Sequence, residues 1–412
     1  MSLYELADGI LDTHVTWQDV EQSIQESLGT KAKLAGDKKV TNISDMKGFM
    51  SRIALVEVDW FGVEEEKELP KKFIIKIAST IPLITLSKMM KFDGGEEKMA
   101  KLLKLARTAH NKEVGAYKLL GQFNHPDIPH MKVYALKPFN DEKDLKGYII
   151  AEFVPNVHTV ETIPADELVS LVRGIATFAA LGETLTEEEK SFTGGPDYLD
   201  MMFGEFFDNK TLEQSFTDLR SAFGEEYQGR CERLINVYRH YLSLISKYSK
   251  IPELLGHRLV LNHGDLWQSN MLHSVNKDGK RKLEAMIDWQ TMSRMPPGLD
   301  LSRLFFGCLS TSDRRERGME LLKLYHDTFT SVFGKEPFSF EELVGSYNLF
   351  IPMASILILP AAPRFFGFFV EASEAEKPEA RKKLIQTMIE MLEDTLESHE
   401  YNLKHFPEFI KE

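Results

Sequence analysis

The run His263-Gly264-Asp265-Leu266-Trp267-Gln268-Ser269-Asn270, with the later Asp288, holds the side chains whose types and spacing best suit chemistry. Leu259-Val260-Leu261 is a short apolar run leading into His263. Met271-Leu272 starts a second run, and Asn276-Lys277-Asp278-Gly279 is a strong turn signal. Leu283, Ala285 and Ile287 then alternate as a returning strand that ends at Asp288. Closing this hairpin sets Asn270 beside Asp288, with Asp265 on the loop just before. Such oxygen ligands suit Mg2+, a hard cation that takes one or two carboxylates plus substrate phosphates. Phosphoryl transfer uses that metal to neutralise phosphate charge, and a carboxylate to orient the attacking hydroxyl. Asp265 fits the second task, Asn270 and Asp288 the first, and His263 supports the loop by hydrogen bonding. An ordinary polar loop beside a turn offers the same residue types, but rarely in this order.

A metal-dependent hydrolase competes for the same residues. His257, His263, Asp265 and His273 supply nitrogen and oxygen donors for zinc or iron. Their spacing matches no compact helical ligand pair, and Asn270 and Asp288 would be left without a role.

The elements that must carry these residues change character along the chain. Thr16-Trp17-Gln18-Asp19 reads as a helix cap, followed by Trp17, Val20, Ile24 and Leu28 at helical spacing up to Gly29. Ile53, Leu55, Val56 and Val58, then Phe73, Ile74, Ile75 and Ile77, predict two antiparallel strands joined by a long turn. A long helix is expected from Glu96 to Leu120, and further strands at Lys132–Leu136 and Tyr148–Phe153. Beyond Pro155 the pattern is helical, near 165–185, 198–222, 226–248, 313–333, 340–359 and 375–399, broken by the hairpin. Strand-rich then helix-rich order predicts an α+β protein of two lobes meeting near residue 155.

The motif His263-Gly264-Asp265-Leu266-Trp267 through Asn270, followed by Ile287-Asp288-Trp289-Gln290, resembles the ecdysteroid-kinase-like branch of the choline-kinase and aminoglycoside-phosphotransferase superfamily. The similarity runs from about residue 30 to 400, with only the hairpin motif specific. It implies a bilobal protein-kinase-like fold, with a small antiparallel-sheet N-terminal lobe (1–154) and a larger, mainly helical C-terminal lobe (155–412). It further implies ATP- and Mg2+-dependent phosphorylation of a small-molecule alcohol, of steroid or choline-like type. A catalytically inactive binding protein is the alternative within the same resemblance.

Lys76, within Phe73-Ile74-Ile75-Lys76-Ile77-Ala78, is costly to bury unless it meets an anion. The resemblance assigns it to the nucleotide phosphates; a lysine on the solvent face of an edge strand is the competing account. Glu113 is its implied carboxylate partner, with Glu96 and Glu97 as competitors. The implied phosphate-covering loop is Ser44–Ser51, where Gly48 is the one glycine and the Ser51 hydroxyl joins backbone amides. Ile149–Val154 resembles a hinge whose backbone, around Glu152 and Val154, would meet adenine. Asp300 resembles the buried aspartate that braces the catalytic loop in this superfamily, a role compatible with capping a helix after the turn and not itself catalytic. The Met- and Phe-rich stretch Met353–Phe369 is expected either to line an apolar acceptor pocket or to pack in the core.

Composition narrows the class further. A net charge of −13 argues against general nucleic-acid or anionic-membrane binding. Only Cys231 and Cys308 occur, which fits a reducing, cytoplasmic setting. The start is acidic with no apolar leader, and the most apolar stretch, Leu349–Ala362, is too short to span a bilayer and contains Pro352 and Pro360.

Overall fold

The computed structural model describes residues 2–44, 50–82, 96–155, 162–195, 197, 199–200, 203, 209–277, 280–363 and 375–411. Helix α1 (Trp17–Leu28) opens on the expected capping box: Asp19 N–H donates to Thr16 Oγ1, and Thr16 N–H donates to Asp19 Oδ2. It stops at Gly29, which takes the left-handed conformation that lacks a Cβ penalty. The sheet that follows contains β1 (Lys33–Asn42), β2 (Ser51–Phe61), β3 (Lys72–Ala78), β4 (Val133–Lys137) and β5 (Tyr148–Glu152). It is five-stranded, in the order β1-β2-β3-β5-β4, and every pairing is antiparallel. β1 had no counterpart in the predicted strands. It lies at an edge, and its lysine-rich, mostly exposed run lacks the apolar alternation that betrays a half-buried strand.

Lys76 sits on the central strand β3, paired with Ile53 on one side and Ile149 on the other. The edge-strand account of this lysine is therefore wrong. The period of two sends Phe73, Ile75 and Ile77 to one face, where they pack with Val20 and Ile24 of α1. Ile74 and Lys76 take the opposite face, and Ile74 packs against the large core shared with the helical lobe.

Helix α2 (Glu96–Phe123) runs between β3 and β4. The helical lobe begins with α3 (Ala165–Gly182), followed by α4 (Asn209–Ala222) and α5 (Gln228–Ser243). The predicted hairpin is present as β7 (Met271–Val275) and β8 (Arg281–Met286). The run before it, β6 (Val260–Asn262), pairs elsewhere, with β9 (Ser293–Met295). The return of the chain to β6 was not foreseen, because a three-residue strand leaves no period to read.

After β9 come α6 (Gly298–Cys308), α7 (Thr311–Phe333), α8 (Phe340–Ile358) and α9 (Lys377–His405). Pro352 lies inside α8, and Met353, Ala354, Ile356 and Leu359 are core residues. In the described part of Met353–Phe369 these residues pack in the core, the second of the two expected accounts; residues 364–369 lie outside the described residues. No helix among the described residues is long and apolar enough to cross a membrane. Both cysteines are buried, free thiols. The molecule thus has the expected α+β plan of two lobes, a small antiparallel sheet and a larger helical part.

The first turn of α6 is set by contact with α8. A Cβ on Gly298 would lie 2.2 Å from Ser346 O, while Gly298 N–H donates to Ser346 Oγ. Gly298→Ala should therefore force the two helices apart and destabilise the protein by about 1–3 kcal/mol. Urea unfolding of the variant checks this, and an unchanged midpoint would contradict the packing described.

Candidate active site

The loop after β6 is shaped by its glycine. Gly264 has φ +89, and a Cβ there would lie 2.3 Å from Thr291 O. Only glycine lets the chain pass this close. Thr291 Oγ1 closes the contact by donating to His263 O at 3.1 Å. Asp300 grips the same loop from α6: Oδ2 accepts from His263 N–H at 2.6 Å and Oδ1 from Gly264 N–H at 2.8 Å. Asp300 lies within the first turn of α6, whose N-cap is Pro297, so it holds the loop without capping the helix.

His263 is fully buried, its Nε2 is 2.9 Å from Ile287 O, and its Nδ1 accepts from Asp265 N–H. Those partners place the imidazole proton on Nε2. Burial pulls its pKa below the usual imidazole value, so it stays neutral. These hydrogen bonds tie the loop to the β8 end.

Asn270 holds Asp265 from the far end of the loop. Its Nδ2 donates to Asp265 O at 2.9 Å and to Asp265 Oδ2 at 3.2 Å. Asn270 Oδ1 accepts no hydrogen bond among the described residues. Ile287 N–H donates to Asn270 O at 3.0 Å, which brings Asn270 next to Asp288 as the hairpin argument expected. Asp288 itself is left-handed, with φ 65, a strained conformation for a non-glycine residue and one found at functional sites.

Lys76 connects this end of the hairpin to the sheet. Its Nζ lies 2.7 Å and 2.8 Å from the two Glu113 oxygens and 2.6 Å from Asp288 Oδ1. Glu113 comes from α2 and also accepts the backbone N–H of Trp289. Burial would lower the Lys76 ammonium, but Asp288 and Glu113 outweigh it and hold the pKa above the usual lysine value. Glu113 moves upward, because burial opposes its charge and Asp288 competes for the same ammonium. Glu113 is only 2% exposed as a side chain, whereas Asp265 keeps 29% and Asp288 26%. The two aspartates thus face open space while their supports are enclosed.

Other expected residues stand apart from this cluster or cannot be placed in it. Gly48 lies outside the described residues. Ser51 begins β2 opposite Ala78 and is buried. Glu152 ends β5; its N–H donates to Lys132 O and its carboxylate accepts from Lys132 N–H, so its own backbone donor is occupied. Val154 follows, half-buried. The zinc or iron arrangement does not assemble: among the described residues no three His, Cys, Asp or Glu groups form a metal-holding cluster. The side chains of Glu96 and Glu97, the competing partners for Lys76, lie outside the described residues. The sequence reading missed two contacts. Gln290 Nε2 donates to Asp288 Oδ2 at 3.1 Å, and Arg303 Nη2 donates to Asp265 Oδ1 at 2.9 Å. Arg303 follows Asp300 by one helical turn, a spacing that could have flagged it.

The brace makes a pH-dependent contribution. Burial pushes the Asp300 carboxyl up to about 7; the N–H groups of Gly264 and His263 pull it back, and Asp265 adds to the rise. A folded-state value above the unfolded one means that the proton stabilises the fold. That contribution is full below about pH 4 and is lost as pH rises through about 7. Wild-type urea midpoints should therefore fall relative to those of Asp300→Asn between about pH 5 and pH 8. Parallel pH profiles for the two proteins would contradict this.

The geometry can be set beside known proteins. A kinase-like protein of Caenorhabditis elegans, named as the uncharacterized kinase-like protein D1044.1, is 24% identical over 311 residues, covering 73% of this chain and 79% of that protein. A spectinomycin phosphotransferase solved with ADP and spectinomycin aligns over 94% of this chain and 99% of its own, at 14% identity and a TM-score of 0.43. An ethanolamine kinase of Plasmodium vivax aligns over 86% of this chain and 82% of its own, at 12% identity and a TM-score of 0.37. The family model that matches covers the sheet, the loop and nearly all of the helical lobe, residues 3–403. This chain belongs to that family, DUF1679, which is described as "Uncharacterized oxidoreductase dhs-27".

Proposed function

We propose that the chain is an ATP- and Mg2+-dependent phosphotransferase that phosphorylates a hydroxyl group of a small molecule. The observation that carries the proposal is Lys76, whose ammonium joins a helix glutamate, Glu113, to the strand-end Asp288 at 2.6–2.8 Å. A strand lysine paired with a helix glutamate, beside a metal-binding aspartate, is the arrangement that protein kinases use for phosphoryl transfer. The kinase-like name of the nematode relative agrees with it.

The residues present fit a hard cation. Among the described residues, Asn270 Oδ1 accepts no hydrogen bond, and the Asp288 oxygens are met by the movable donors of Lys76 and Gln290. Asn270 and Asp288 would hold Mg2+, which when bound neutralises phosphate charge. Lys76 would turn from Asp288 to the nucleotide phosphates while Glu113 keeps its ammonium in place. Asp265 would accept the hydrogen bond of the acceptor hydroxyl and orient its oxygen toward the γ-phosphorus. As the new P–O bond forms, the bond from the γ-phosphorus to the β,γ-bridging oxygen breaks. ADP leaves with that electron pair, and the hydroxyl proton passes to Asp265 and on to solvent. Residues 1–154 would carry the nucleotide and 155–412 the acceptor. With Glu152 N–H engaged, the adenine contact of the hinge would fall to Val154. Gly48 and Ser51 would belong to the loop over the phosphates. A steroid or choline-like alcohol is the acceptor class suggested by the ecdysteroid-kinase-like resemblance of the motif.

The family description names an oxidoreductase. Dinucleotide cofactors are held by parallel βαβ units with a glycine-rich first turn. Every pairing between the named strands β1 to β9 is antiparallel, with only two isolated parallel bridges beside them among the described residues, which favours the phosphotransferase over a dinucleotide enzyme.

Two substitutions test the proposal. Asp265→Asn should lower phosphoryl transfer by roughly 10²–10⁴-fold with ATP affinity retained. Asp288→Ala should remove productive binding of MgATP, read by calorimetry with and without Mg2+. Wild-type transfer rates in both variants would contradict the assignment.

A further inference from the structure

Helix α6 reaches the loop at more points than its brace. One turn beyond Asp300, Arg303 Nη2 donates to Asp265 Oδ1 at 2.9 Å. Further along the same helix, Cys308 Sγ accepts the backbone N–H of Gln268. The Asp265 carboxylate is thereby held from two directions, by Arg303 at Oδ1 and by Asn270 Nδ2 at Oδ2. Its Oδ2 faces the residue that would bind metal, and its Oδ1 faces α6.

The state of the guanidinium is unusual. Its side chain keeps 18% exposure, and Nε and Nη1 are enclosed without a hydrogen-bond partner among the described residues. Buried donors left open cost stability, and so does burying a cation with a single ionic partner. A rigid five-donor fork with two nitrogens unmatched is a poor strut. Folds break local rules of this kind mainly where a charge serves function.

We infer that Arg303 is a positioning residue for phosphoryl transfer: it fixes the Asp265 carboxylate against the acceptor hydroxyl and offsets its charge as the polyanionic nucleotide approaches. This rests on the phosphotransferase reading. The offset matters because a carboxylate and a triphosphate repel each other across a site where solvent screens them weakly. The planar fork also sets direction, which a lysine ammonium on a flexible stem does less well.

The test compares the wild type with Arg303→Met, Arg303→Lys, Asp265→Asn and Asp265→Asn/Arg303→Met. MgATP hydrolysis, with water as the acceptor, supplies kcat and KM, and thermal unfolding supplies Tm. Arg303→Met should lose roughly 100-fold in kcat, the scale of a misplaced catalytic group. Its KM for MgATP should change less than about threefold, and its Tm should hold or rise as the enclosed donors disappear. Arg303→Lys should recover part of the kcat, and the double variant should be no slower than Asp265→Asn alone. A wild-type kcat in Arg303→Met would overturn the inference. So would a loss of kcat that follows a fall in Tm, or losses that multiply in the double variant. Absence of ATP turnover in the wild type, with water and with a panel of sterols, choline, ethanolamine and amino sugars alike, is a separate outcome: it would sink the phosphotransferase reading, and the role of Arg303 with it.

Discussion

One enclosed ammonium faces two carboxylates where the two lobes meet, and much of the site follows from that imbalance. Lys76 cannot satisfy Glu113 and Asp288 equally, so the cluster carries a surplus negative charge in partly enclosed surroundings. Burial first, and the nearby Asp288 charge second, push the Glu113 carboxyl upward. A cation arriving at Asp288 would relieve the surplus and free Lys76 for an anion. On the proposed reading, the cluster would take a metal and a polyphosphate together.

The rest of the fold serves to hold that cluster in place. Pairing on both sides fixes the height of Lys76 on β3, and α2 delivers Glu113 from behind. The loop carrying Asp265 has little regular structure of its own. Its shape comes from Gly264 passing close to Thr291, from two backbone donors converging on Asp300, and from the neutral His263 reaching Ile287. α6 is the common support, and its own position depends on the absence of a side chain at Gly298.

Much of this was legible in the sequence, and the reasons differ by element. The β7–β8 hairpin announces itself through a turn signal and alternation, so the approach of Asn270 to Asp288 follows from local rules. Thr16 and Asp19 write their capping box into adjacent positions. Lys76 was suspicious because an ammonium flanked by isoleucines needs a partner. The partner's identity came from resemblance, since Glu113 lies in a long charged helix where several glutamates compete. The β6–β9 pairing was invisible to local rules, because it joins distant segments with no periodic trace, and the contact of Arg303 with Asp265 left only its one-turn spacing from Asp300. β1 was hidden by its lysines, which make an edge strand resemble a solvated loop.

The central claim is that this cluster moves a phosphoryl group from ATP to an alcohol. The most direct measurement is transfer of γ-labelled phosphate from MgATP to a panel of sterols, choline, ethanolamine and amino sugars. The account predicts a labelled phosphate ester of at least one acceptor, dependent on Mg2+ and on Asp265. No labelled product, together with reversible hydride transfer to a nicotinamide dinucleotide, would contradict it.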